Sequence, residues 1–112
     1  MNLLDVKKSG NSEYEIPCIY GIYVNDELVY IGKANSAIDR WIVHKHHIIK
    51  PYEKCRKYYN DFTKLYVQLR EDYFSNECIE FRIIEKVPKE KLSEVERKYL
   101  KYNKPKLNTK DY

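Results

Sequence analysis

The stretch "IPCIYGIYVNDELVYIG", residues 16–32, constrains the fold more than any other part of the chain. Two β-prone runs rich in Ile, Val and Tyr enclose the polar residues Asn25, Asp26 and Glu27, the pattern of a β-hairpin. A two-residue loop puts Tyr23 and Tyr30 on one face of the hairpin. They lie directly opposite each other if Asp26 and Glu27 form the loop, and diagonally if Asn25 and Asp26 do. Tyr20 has the other parity and is expected on the far face. Cross-strand aromatic pairs also stabilise sheets in their own right, so the pair marks either packing or a site.

The remaining elements follow from periodicity. Residues 1–15 are polar and mixed and are expected to form an irregular arm. "SAIDRWIVHKHHIIK" reads as a helix: Ser36 and Asp39 suit its start, Ile38, Trp41, Ile42, Ile48 and Ile49 recur at helical spacing, and Pro51 stops it. "YEKCRKYYNDF" reads as a second, basic helix. "TKLYVQLRE" alternates like a strand, and "CIEFRIIEKV" reads as a buried strand closed by Pro88. "KEKLSEVERKYLKYN" is a last helix, stopped by Pro105. The order predicts an α+β fold with a small, mainly antiparallel sheet of three core strands, or four if "TKLYVQLRE" joins it, flanked by helices.

Composition narrows the function classes. A chain of 112 residues suits one domain with a modest core. The three cysteines, Cys18, Cys55 and Cys78, are odd in number and far apart, which fits neither a disulfide framework nor a zinc site. Reduced thiols, no leader-like apolar run and no membrane-length apolar stretch point to a cytoplasmic, intracellular protein. The net charge of +4 is mild, but its distribution is not. Residues 40–64 carry seven bases against two acids, and residues 97–110 carry six bases and no acid. Such clusters fit phosphate contacts, and equally a soluble lysine-rich surface.

Single residues then stand out. On the last helix the apolar stripe of Leu92, Val95, Tyr99 and Leu100 includes position 96, a glutamate. A carboxylate on such a face is paired, hydrogen-bonded or metal-bound, or sits at a rim where it reaches water or a lysine. Arg40 and His44 share a face of the first helix. Arginine suits phosphate through its fork, and histidine can pass a proton near neutral pH. The run "HKHH" lacks the further ligands a zinc site needs.

Together these pieces resemble the GIY-YIG nuclease family. The resemblance rests on Gly21-Ile22-Tyr23 and Tyr30-Ile31-Gly32, then on "GKANSAIDRWIVH" with Lys33, Arg40 and His44. "EVERKYLKYNKPKLN", with Glu96, Pro105 and Asn108, completes it, and the whole spans residues 17–108. Only six residues separate Tyr23 from Tyr30, fewer than is typical of the family. The resemblance implies a divalent-metal-dependent endonuclease hydrolysing DNA phosphodiester bonds at a single-metal site, within a nuclease domain over residues 16–112. A catalytically silent nucleic-acid-binding module of the same fold is the alternative. In the enzyme, Glu96 would hold one Mg²⁺ or Mn²⁺ ion and Arg40 a phosphate oxygen. Tyr23 would accept a proton from the attacking water with help from the positive charge of Lys33, Arg40 or His44, His44 could take that proton on, and Tyr30 would orient the water or phosphate. Lys33, Lys45 and Lys104 would face DNA, Asn108 would fix the loop after the last helix and touch the DNA backbone, and Gly21 and Gly32 would allow close approach. RNA stays open as a substrate, as do a monomer or homodimer and a phage, mobile-element, restriction or repair role.

Overall fold

The hairpin turn sets the first two strands. In the computed structural model, which describes residues 1–49 and 61–108, Asn25 and Asp26 have φ of 50° and 68°. Two successive positive φ values make the turn whose twist matches paired strands, and Asn and Asp tolerate them. Strand β1 (Cys18–Val24) and strand β2 (Glu27–Ala34) run antiparallel from this turn. Val24 faces Glu27 and Tyr23 faces Leu28, but Ile22 faces Tyr30. Val29 is therefore the extra residue of a β-bulge.

That one residue reverses the parity expected for the motif. Beyond the bulge, Tyr30 shares a face with Ile22 and Tyr20, while Tyr23 points to the other side with Leu28. The expected common face of Tyr23 and Tyr30 is thus corrected to a common face of Tyr20 and Tyr30.

Helix α1 (Ala37–Ile49) follows, then helix α2 (Asp61–Phe74), strand β3 (Ile79–Lys86) and helix α3 (Leu92–Asn103), the last entered through a short turn at Lys89–Lys91. The sheet is three-stranded, in the order β2-β1-β3, with both pairings antiparallel. The segment expected as an additional strand, "TKLYVQLRE", is part of α2. Its buried residues Leu65, Tyr66, Leu69 and Arg70 recur at helical spacing, whereas the alternation of Leu65, Val67 and Leu69 suggested a strand. The basic helix expected over "YEKCRKYYNDF" lies almost wholly outside the described residues.

Two apolar layers enclose the sheet. On one face Tyr20, Ile22 and Phe81 pack with Ile38, Trp41 and Ile48 of α1 and with Leu65 and Leu69 of α2. On the other, Ile19, Ile31 and Val87 pack with Leu92 and Leu100 of α3. Residues 1–15, expected as an irregular arm, hold two short 3-10 turns, Leu3–Asp5 and Ser12–Tyr14; Leu3 and Val6 are buried in the first layer, and Asn2 bridges to Glu80 on the open edge of β3. Among the described residues no helix is long and apolar enough to cross a membrane.

The opposite edge, β2, is closed by the chain after α3. Lys104 ends that helix in the left-handed conformation (φ 40°), and Pro105 is buried behind it. The Leu107 amide donates to the carbonyl of the bulge residue Val29 at 2.9 Å. The Asn108 side chain accepts from the Ile31 amide (2.8 Å) and donates to the Ile31 carbonyl (2.9 Å), replacing a strand neighbour.

Candidate active site

The site grows from the face that the bulge creates. Tyr20 is 1% exposed, and its ring centroid lies 6.4 Å from that of Tyr30, which is half-buried. The Tyr20 hydroxyl occupies the space a side chain at position 32 would need: a Cβ there would lie 2.5 Å from it. Gly32 is required for this close approach. Gly21, on the opposite face, leaves room for Leu28, Tyr23 and Ile84.

Helix α1 brings the partners. His44 is fully buried, with Nε2 2.5 Å from the Tyr20 hydroxyl and Nδ1 3.0 Å from the Tyr66 hydroxyl of α2. One turn earlier stands the exposed Arg40, whose guanidinium favours the ionised form of the Tyr20 hydroxyl. Burial, then the charges of Arg40 and His47, pushes the His44 imidazole down to about 3, so it is neutral in the free protein. Burial also drives the Tyr20 phenol well above its usual range; Tyr30 adds to this and the Arg40 guanidinium opposes it.

An open groove of about 640 Å³ runs beside these groups, lined among others by Lys33, Arg40, Lys89, Leu92 and Ser93. The Lys33 ammonium donates to the Ser93 hydroxyl at 2.7 Å and so ties β2 to the start of α3. Glu96 lies one turn beyond Ser93, half-buried between Leu92 and Leu100, which are each 5% exposed. This places it at the rim of the stripe and not inside it.

Several expected site residues sit elsewhere. Tyr23 is half-buried on the α3 side, with the Arg82 guanidinium 4.2 Å above its ring, and it does not meet His44. Lys45 donates to the Val6 carbonyl at 2.9 Å and fastens α1 to the N-terminal segment. Asn108 spends both ends of its amide on Ile31, so it braces the strand that carries Tyr30 and fastens the chain after α3. Lys104 is exposed at the helix end. The residue that sequence reasoning missed is Tyr20. The short spacer before Tyr30 was the signal: counted from Tyr20, the interval is three residues longer.

Comparison with protein-family models and with curated proteins gives no match. Among solved structures, a mutant of EndoII from bacteriophage T4 is similar, with a TM-score of 0.63 and 21% sequence identity over 84% of this chain and 74% of that one. The fold is GIY-YIG-like. Its small antiparallel sheet, flanked by helices, is the shared element.

Proposed function

We propose that the chain is a divalent-metal-dependent endonuclease that hydrolyses DNA phosphodiester bonds. The observation that carries this is the junction of Tyr20, His44 and Arg40 beneath Gly32, beside a groove lined by Lys33 and Lys89. A buried phenol–imidazole pair next to an exposed guanidinium couples a proton acceptor to a phosphate clamp. The likeness to a phage EndoII supports the same reading.

Arg40 would engage a non-bridging phosphate oxygen through its fork, with Lys33 adding positive charge. The attacking water forms a bond to phosphorus and a phosphorus–oxygen bond to the leaving group breaks. The water's proton passes to the Tyr20 oxygen while Tyr20 hands its own to His44 Nε2, 2.5 Å away. In the free protein burial above all makes His44 a weak base, and the positive charge of Arg40 adds to this. A phosphate on Arg40 offsets that charge and raises the basicity of His44 when it is needed. Tyr30, beside both rings and half-buried, orients the water or phosphate.

Among the described residues no three His, Cys, Asp or Glu side chains gather as a metal cage. Mg²⁺ does not need one, since it keeps several waters and is held through one or two carboxylates and substrate phosphates. Glu96, a half-buried carboxylate one turn from Ser93, is a donor of that kind and would hold Mg²⁺ or Mn²⁺. When bound, such an ion neutralises charge at the phosphate.

The test is cleavage of plasmid, branched and single-stranded DNA with and without Mg²⁺, using wild type and Glu96→Gln. Expected are Mg²⁺-dependent nicking by the wild type and none by the variant, which still binds DNA and melts normally. No cleavage of any substrate, or wild-type cleavage by Glu96→Gln, sinks the respective claim.

A further inference from the structure

Tyr66 stands on the far side of the His44 ring from Tyr20, its hydroxyl 3.0 Å from Nδ1. It is 6% exposed, and its ring stacks on His47 with centroids 4.6 Å apart and planes 21° from parallel. The His44 ring stacks on Phe81 at 6.0 Å and 16°. Both rings are therefore held in place by packing as well as by their hydrogen bond.

A neutral imidazole has one N–H and one bare nitrogen, and its partners decide which is which. The choice is made from the Tyr20 side. The nearby Arg40 guanidinium is positive and only donates, so the Tyr20 oxygen turns its lone pairs, and not its hydrogen, toward it. The single phenolic proton then goes to the other partner, Nε2 at 2.5 Å. This arrangement calls for a bare Nε2 and an Nδ1 hydrogen donated to the Tyr66 oxygen.

We infer that Tyr66 is a positioning residue for this site: by accepting the Nδ1 hydrogen it holds His44 in the tautomer whose Nε2 lone pair faces Tyr20. The other tautomer would point an N–H at Tyr20 and block transfer. When the Tyr20 proton moves to Nε2, the imidazolium keeps its Nδ1 hydrogen on Tyr66, and the water restores the Tyr20 hydroxyl. The catalytic consequence rests on the nuclease reading; the tautomer is a property of the free protein.

Tyr66→Phe keeps the ring on His47 and removes the hydroxyl that faces Nδ1. Nitrogen–proton correlation spectra of the His44 ring are compared for wild type and variant, alongside plasmid nicking and DNA binding. The wild type is expected to show a bare Nε2 and a protonated Nδ1. The variant shifts toward the Nε2–H form and cuts about 10–100-fold more slowly, the size of loss that follows when the partner orienting a metal-bound histidine is removed, with DNA binding unchanged. A wild-type proton on Nε2 overturns the inference, and that spectrum decides even if the variant fails to fold. A variant with the wild-type spectrum and rate overturns it too. The expected spectra in a protein that cuts no DNA support the role of Tyr66 and overturn the nuclease reading instead.

Discussion

Two tyrosine-to-phenylalanine changes, at positions 20 and 23, separate the site drawn here from the one the motif suggested. Tyr20 is 1% exposed and its hydroxyl is the 2.5 Å partner of the fully buried His44 Nε2. Tyr20→Phe leaves that nitrogen without a donor, which costs about 1–3 kcal/mol. For a domain of this size about 4 °C of Tm accompanies each kcal/mol, so a fall of about 4–12 °C is expected. Typical stabilities of about 5–15 kcal/mol leave such a variant largely folded at 25 °C, so unfolding does not account for lost cleavage. Loss of the proton relay itself should slow cleavage about 10²–10⁴-fold. Tyr23→Phe keeps the ring face beneath Arg82, 4.2 Å away. Its stability should change by no more than about 0.5 kcal/mol and its rate not at all. Thermal melts and initial nicking rates on both proteins decide. Slow cleavage by Tyr23→Phe with normal cleavage by Tyr20→Phe would refute the reasoning from the bulge.

Three further outcomes are expected. Gly32→Ala places a Cβ 2.5 Å from the Tyr20 hydroxyl and should cost about 1–3 kcal/mol together with most cleavage; a normally stable, active variant would show that Tyr20 can leave this position freely. Asn108→Ala removes both amide contacts with Ile31 and should lower stability by about 1–3 kcal/mol and speed hydrogen exchange at the Ile31 amide, whereas unchanged protection there speaks against the brace. His44 is held at about 3 against an ordinary 6.5, so the unfolded chain binds the extra proton between those values. The stability this residue confers is full above pH 6.5 and is lost as pH falls toward 3, at up to about 1.4 kcal/mol per unit. Urea midpoints from pH 7 to 4 should show this limb in the wild type and lack it in His44→Gln; identical profiles count against a buried neutral imidazole.

The sequence alone was enough for whatever depends on short-range chemistry. Asn25 and Asp26 in a polar gap between β-prone runs specify the turn, because these side chains accept positive φ. The stripe from Ile38 to Ile48, and Pro105 after α3, likewise mark helices whose bounds follow from neighbours in the chain. Arg40 and His44 on one helical face were legible for the same reason. The helix over Leu65, Tyr66 and Leu69 was not, since the same residues satisfy a strand alternation until it is known which are buried.

Only the tertiary structure decided which tyrosine joins Tyr30. Strand parity has a period of two, so one extra residue at Val29 moves Tyr23 off the site face and puts Tyr20 on it. Nothing between Asn25 and Tyr30 announces the bulge. Its carbonyl is met by Leu107, more than seventy residues away, and its neighbour Ile31 is held by Asn108. The position of Tyr20 against His44 likewise needs α1 folded back across the sheet and Gly32 empty beside it. Such contacts are set by how distant segments pack, and no local pattern encodes them.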